Sequence, residues 1–517
     1  MKKIAFTLLL CTSFAGAIGV LVTQAASQNI AFAGRTYYVD PNGSDNDNGS
    51  KSSPWKTVAF ATSRAKKGDT IYMNRGTFVE TRTIDLPPGV NLEGDSSKTT
   101  VLIAKNLSGD RTLIRMDSNR ELGNQRLRRF SIDGQNNSLE RGISITNRHN
   151  VKIDDVHLKN IKFTCLFVGG VDNRQKEGTT PPSIWIKGIS VTNTQITNCG
   201  ENKGGWSSGA LMIAALDGAR FDNITINNSK VGHGIKQFKG GWFKNIKITN
   251  STINVADKGS HNRRAIAIEL WNTFDDSEVY KVKTNNWFSF GYGNKGSGKR
   301  SVKVHDNQII QSDTGEEYLA IEAAASDMEI YNNYIKNPGS YGIAIWERGS
   351  PSNNLVHHNV VVSGNNRHGF IVLKPADRQY IKTTKIYNNT LIGFKTSAIN
   401  LSNTQGVVDG LDIRNNVFTD SGYIMMGGDT KTLKNVTFSN NLFYNPRVKL
   451  TGVWTNWGAT KPTNFIIRNN KAGNPGFNNS GSIPRPFYTP SRKSILLDAG
   501  VNVGLPFTGS APNIGAL

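Results

Sequence analysis

Charged side chains recur at one position of a series of short, matching segments, and that recurrence is where chemistry is expected. Written one above another, the segments are Leu211–Ala215, His233–Gln237, Ile266–Leu270, Phe288–Tyr292, Leu319–Ala323, Ile343–Glu347 and Phe370–Lys374. Each alternates apolar and other residues with a period of two, the signature of a short strand with one buried face. Stacked on their apolar residues, they place Ala214, Lys236, Glu269, Gly291, Glu322, Trp346 and Leu373 in one outward column. A second column of small residues, Met212, Gly234, Ala267, Ser289, Ala320 and Ala344, is expected to leave room for a ligand beside it.

A lysine and two glutamates in one column suit acid–base chemistry at a glycosidic bond. β-Elimination by a polysaccharide lyase is the leading expectation and hydrolysis the alternative. In β-elimination a cation neutralises a uronate carboxylate, a base removes the neighbouring proton and an acid protonates the leaving oxygen. Lys236 is then the candidate base, Tyr292 the acid, and Arg263 and Arg264 hold the carboxylate bidentately. Lys239 is a second cation near the base. If Glu269 pairs tightly with Lys236, the lysine becomes a carboxylate binder and Tyr292 or His233 becomes the base. In hydrolysis Glu269 and Glu322 work as a pair, two strands apart and so roughly 9–10 Å between backbones. Trp206, Trp271 and Trp346 are candidates for stacking on sugar rings. A solvated ladder of surface charges is the reading without function. Outward residues should add little to a core of Ile235, Ile268 and Ile321, so Lys236→Ala is expected to melt with the parent.

The strands must be held in register by a repeat, and the repeat is visible. Paired asparagines or their equivalents end at Asn307, Asn333, Asn359, Asn389, Asn416, Asn441 and Asn470, at spacings of 26, 26, 30, 27, 25 and 29. Asn223 and Asn245 continue the pattern upstream. A variable period in the twenties, rich in Asn, Gly, Val and Ile, excludes leucine-rich and helical repeats and leaves a coil of short parallel strands. Asparagine tolerates left-handed backbone at coil corners, and its amide can bond to the next coil.

On these residues the chain resembles the right-handed parallel β-helix family of secreted polysaccharide lyases, hydrolases and epimerases. Tyr37–Ser44, Pro54–Thr57 with the amphipathic stretch to Ala65, Gly68–Tyr72 and Arg75–Phe78 resemble the family's entry, capping helix and first coil. Asn474–Phe477, Leu497–Gly500 and Asn513–Ala516 resemble its closing segment. The resemblance implies an all-β fold, a single right-handed parallel β-helix over 34–517 with a short N-terminal capping helix. It implies a ligand groove across one sheet and leaves the subfamily unassigned. Gly232-His233-Gly234 resembles a polygalacturonase fragment, but Asp275-Asp276 follows it instead of preceding it; Arg367-His368-Gly369 resembles one of chondroitinase-B-like and alginate lyases, but their Lys-Ser element is missing upstream.

Composition narrows the partner. The 517 residues carry 61 Lys+Arg and 39 Asp+Glu, a net charge of +22. Such a surplus favours a polyanion. Lys2 and Lys3, the apolar stretch from Ile4 and Ala31-Phe32-Ala33 read as a signal peptide over residues 1–33. Its removal takes two lysines and no acids, leaving 59 basic against 39 acidic residues. A secreted chain of that charge is expected to meet an acidic polysaccharide, alginate-like first, rather than nucleic acid or a membrane, and to act as a monomer. A uronate epimerase and a non-catalytic glycan-binding surface protein are the remaining alternatives. Asp45-Asn46-Asp47-Asn48-Gly49 is either an Asx-rich turn or a Ca2+ loop, so Ca2+ is a possible cofactor and no other is indicated. Cys165 and Cys199 are either one disulfide or two buried thiols.

Overall fold

The computed structural model describes residues 34–516, apart from 118–121, 136–138, 172–179, 201–207, 229–231, 257–264, 294–298, 313–318, 346–350, 364–367, 373–379, 402–406, 428–432, 446–453, 456–462 and 479–487. The segment read as a signal peptide lies outside the described residues. So do Arg263, Arg264, Trp206 and Trp346.

The chain winds as a coil of short strands, and each strand pairs in parallel with its equivalent one turn on. The inward residues form continuous apolar columns. One runs Leu127, Ile153, Val191, Phe221, Ile248, Val279, Val304, Ile330 and Val356 through successive in-register pairs. All are buried in one core that extends along the stack. Burying the inward positions of successive strands is the main source of stability in such a coil.

The paired asparagines divide their labour. The first member, or its equivalent, takes the left-handed backbone: Asp306, Asn332, His358, Asn388, Asn415, Asn440 and Asn469 have φ between 52° and 56°. The second member builds the ladder. Asn307 Nδ2 donates to Asn333 Oδ1 at 2.9 Å, and the same bond repeats through Asn359, Asn389, Asn416 and Asn441 to Asn470 at 2.9–3.1 Å. Asn223 and Asn245 take the left-handed corner role (φ 54° and 47°) without belonging to that ladder. The spacing of 22 between them is not one coil: Asp222 pairs with Thr249, so Asn223 is followed one turn on by Asn250, and Asn245 occupies a different corner.

Both ends are dressed. Helix Val58–Arg64 covers the first coil, with Thr57 Oγ1 accepting from Phe60 N at 3.2 Å. Glu80 accepts the amides of Val58 and Ala59 at 2.7 and 3.2 Å, and burial pushes its carboxyl above the usual range. Asp45 Oδ1 accepts the amides of Lys56 and Thr57 at 2.9 Å, and its Oδ2 the Thr57 hydroxyl at 2.8 Å. Its oxygens therefore organise the approach to the helix. At the other end Leu496 and Ile514 pack on Val417 and Leu442. Cys165 and Cys199 are joined in a disulfide with Cα atoms 5.7 Å apart, tying residues 34 apart in sequence.

Candidate functional site

The strand pairings fix the column that the sequence pattern left degenerate. Phe167 lies over Met212, and Met212 over Lys236. Ile235 pairs with Ile268, which sets Lys236 beside Glu269. Glu269 then pairs with Ser289, Ser289 with Glu322, and Glu322 with Ala344. The outward column is thus Met212, Lys236, Glu269, Ser289, Glu322 and Ala344, followed by Ile371 and Asn400. Four members of the expected column are displaced by two residues: Met212 replaces Ala214, Ser289 replaces Gly291, Ala344 replaces Trp346 and Ile371 replaces Leu373. The expected small-residue column is also revised. Ala267 and Ala320 belong to the main core. A Cβ on Gly234 would come within 2.4 Å of Ala267 O, so small residues there answer a crowded corner and not a ligand.

Lys236 Nζ and Glu269 Oε2 form an ion pair, with side chains only 6% and 5% exposed. This is the tight pairing under which Lys236 ceases to be a free amine. It also makes the outer face at this point a buried polar site and not a solvated ladder. Ser289, itself 1% exposed, donates its hydroxyl to Glu322 Oε2 at 2.6 Å. Trp271 Nε1 donates to Ser289 Oγ at 3.3 Å. Because the indole can only donate, the serine proton is directed to the carboxyl. Trp271 also meets Tyr292 edge to face, ring centroids 5.7 Å apart.

His233 Nδ1 accepts the amide of Ile266 at 2.7 Å. Burial, with the charge of Lys236 added, pushes its pKa down to about 3. The ring is therefore neutral at ordinary pH, and its proton sits on Nε2. Lys239 lies outside the column, in left-handed backbone (φ 46°) after the strand, its ammonium 6.0 Å from the Phe238 ring. The structure thus assembles Lys236, Glu269, Glu322 and Trp271 around Ser289, a residue that the sequence reading placed among spacers. Matching Ile268 to Phe288 instead of Phe290 would have found it.

Residues 295–472 match the family described as "Right handed beta helix region", and residues 41–178 match one described as "Protein of unknown function (DUF1565)". The uncharacterised protein YwoF of Bacillus subtilis (strain 168) is 23% identical over 380 residues, 70% of this chain and 75% of that protein. The pre-neck appendage protein of Bacillus phage phi29 is 27% identical over 270 residues, 44% of this chain but only 31% of the phage protein. Among solved structures, the catalytic domain of a GH87 alpha-1,3-glucanase in complex with nigerose has 14% identity and a TM-score of 0.47, covering 66% of this chain and 64% of that one. Pectate lyase Pel9A has 13% identity and a TM-score of 0.33, covering 93% and 96%. No helix among the described residues is long and apolar enough to cross a membrane. The parallel coil stack, the asparagine ladder and the match over residues 295–472 agree on the fold of a parallel β-helix.

Proposed function

We propose that the protein is a secreted carbohydrate-active enzyme that cleaves a polysaccharide by hydrolysis, with Glu269 as general base and Glu322 as general acid. The observation that carries this reading is the different company of two carboxyl groups in one column. Glu269 has an ammonium against it, which favours the carboxylate. Glu322 is held by a neutral hydroxyl. Separating two carboxyls in this way is how a base and an acid are distinguished at one pH. The two are two strands apart, about 9.5 Å between backbones. That suits a water held between base and sugar, and hence inversion at the reacting carbon.

In this scheme Glu269 takes a proton from water as the water oxygen bonds to the anomeric carbon. Glu322 gives its proton to the departing glycosidic oxygen. Ser289 donates to Oε2 of Glu322 and so orients the carboxyl. Trp271 and Ser289 hold that carboxyl in place.

A second reading, β-elimination on an alginate-like polymer, is favoured by Lys236 at the centre of the column and by the net charge of +22. There a uronate carboxylate displaces Glu269 from Lys236, and Arg263 and Arg264 assist. His233 offers Nε2–H, a donor and not an acceptor, so Tyr292 is left to take the proton. Products separate the readings. Incubation with alginate, polygalacturonate, chondroitin sulfate and a neutral glucan should yield new reducing ends without unsaturated uronate absorbance. Unsaturated products would overturn hydrolysis in favour of elimination.

A further inference from the structure

Past Glu322 the outer column runs through Ala344 and Ile371 to Asn400. Asn400 is 5% exposed, and its Nδ2 lies 3.1 Å from His368 Nε2. Its Oδ1 is buried and has no hydrogen-bond partner among the described residues. The imidazole is fixed from behind: His368 Nδ1 is 2.9 Å from Ser397 Oγ, and the Tyr341 ring lies flat on it, centroids 5.5 Å apart at 8°. A carboxamide is thus anchored at one end and unpaired at the other. Turning it end for end changes only which end is open, because Oδ1 would then face Nε2 and the amino group would lack a partner. A buried amide end left unpaired is unfavourable, and a ligand group that pairs it gains accordingly.

The chemistry of that group follows. A carboxylate can only accept and an ammonium can only donate, so each suits one orientation. A hydroxyl does both. Asn400 lies three strands beyond Glu322, about 14 Å along the stack, and five beyond Glu269, about 24 Å. We propose that Asn400, backed by His368 and Tyr341, is a distal subsite for a sugar hydroxyl, so that the enzyme prefers long chains lying along the coil axis. The proposal rests on the function proposed above and deepens it.

The test compares parent and Asn400→Leu on the first of alginate, polygalacturonate, chondroitin sulfate and a neutral glucan that the parent cleaves. Substrates are the polymer and its trisaccharide. The ratio of kcat/KM for polymer over trisaccharide should fall about tenfold in the variant, the equivalent of one hydrogen bond. An unchanged ratio overturns the subsite. Should Asn400→Leu fail to fold, binding of three- to ten-residue oligosaccharides to Glu322→Gln decides. Affinity should step up once the chain is long enough to reach Asn400, and affinity independent of length overturns the proposal. A parent that cleaves none of the four polymers removes the functional reading and the subsite with it, whereas cleavage without a length effect removes the subsite alone.

Discussion

Replacing Lys236 with Met tests whether the centre of the column is a buried ion pair. Both side chains are about one-twentieth exposed, so the substitution leaves the Glu269 carboxylate unanswered in a dry site. Removing one partner of a buried pair costs about 3–5 kcal/mol, while replacing both with apolar residues of similar size is close to neutral. The single variant should therefore lose about that much stability in its coils, and Lys236→Met/Glu269→Leu should regain most of it. At tenfold per roughly 1.4 kcal/mol, opening of the affected strands should rise between about a hundredfold and a few thousandfold. Amide hydrogen exchange at Ile235 and Ile268, which pair across these two strands, reads that opening directly. A local readout suits a stacked coil better than one melting temperature, because such arrays need not unfold in a single step. Exchange in Lys236→Met equal to the parent would refute the buried pair and restore the solvated ladder. The sequence-based expectation that Lys236 variants keep the parent's stability is corrected by the pair for the same reason.

Glu322→Gln should lower turnover by roughly 10²–10⁴, the scale of a lost general acid, as measured by release of reducing ends. Ser289→Ala should lower kcat and shift the pH profile of kcat, because it removes the hydroxyl that fixes Glu322; a change in KM alone would speak against that role. For His233 the folded pKa, about 3, lies below the unfolded value of about 6.5, so the unfolded chain binds the extra proton between them. Its contribution to stability is full above about pH 6.5 and is lost as pH falls toward 3; His233→Gln should flatten the acid limb of a stability–pH curve, and an unaltered limb would exclude it. Asn359 accepts from Asn333 and donates to Asn389 and the carbonyls of Ile330 and His357, so Asn359→Leu should strip protection from neighbouring coils on both sides in hydrogen exchange.

The fold was legible because its repeat is written in side chains with one task. An asparagine that must bond to the asparagine one coil away cannot drift, so the positions from 307 to 470 stand out at once. The site was only half legible. Several strands here carry two inward apolar residues two apart, as in Phe288 and Phe290 or Ile343 and Ile345, buried in the core. A pattern of period two matches equally well after a slip of two, and such a slip keeps every side chain on its proper face. Lys236, Glu269 and Glu322 survived this degeneracy because Ile235, Ile268 and Ile321 were matched correctly. Ser289 and Ala344 did not, since nothing in their strands marks which Phe or Ile comes first. Coil corners carry the missing information: Gly234 and Gly342 sit where a Cβ would strike the next coil's backbone, and aligning them would have set the register.

The central claim is that Glu269 and Glu322 together break a glycosidic bond with water. Parent protein and Glu322→Gln, each shown folded by circular dichroism, are incubated with the four polysaccharides while reducing ends and unsaturated uronates are followed in the same samples. The account predicts reducing ends from the parent, no unsaturated product, and near-complete loss in the variant. Unsaturated product from the parent, or undiminished turnover by Glu322→Gln, would contradict it.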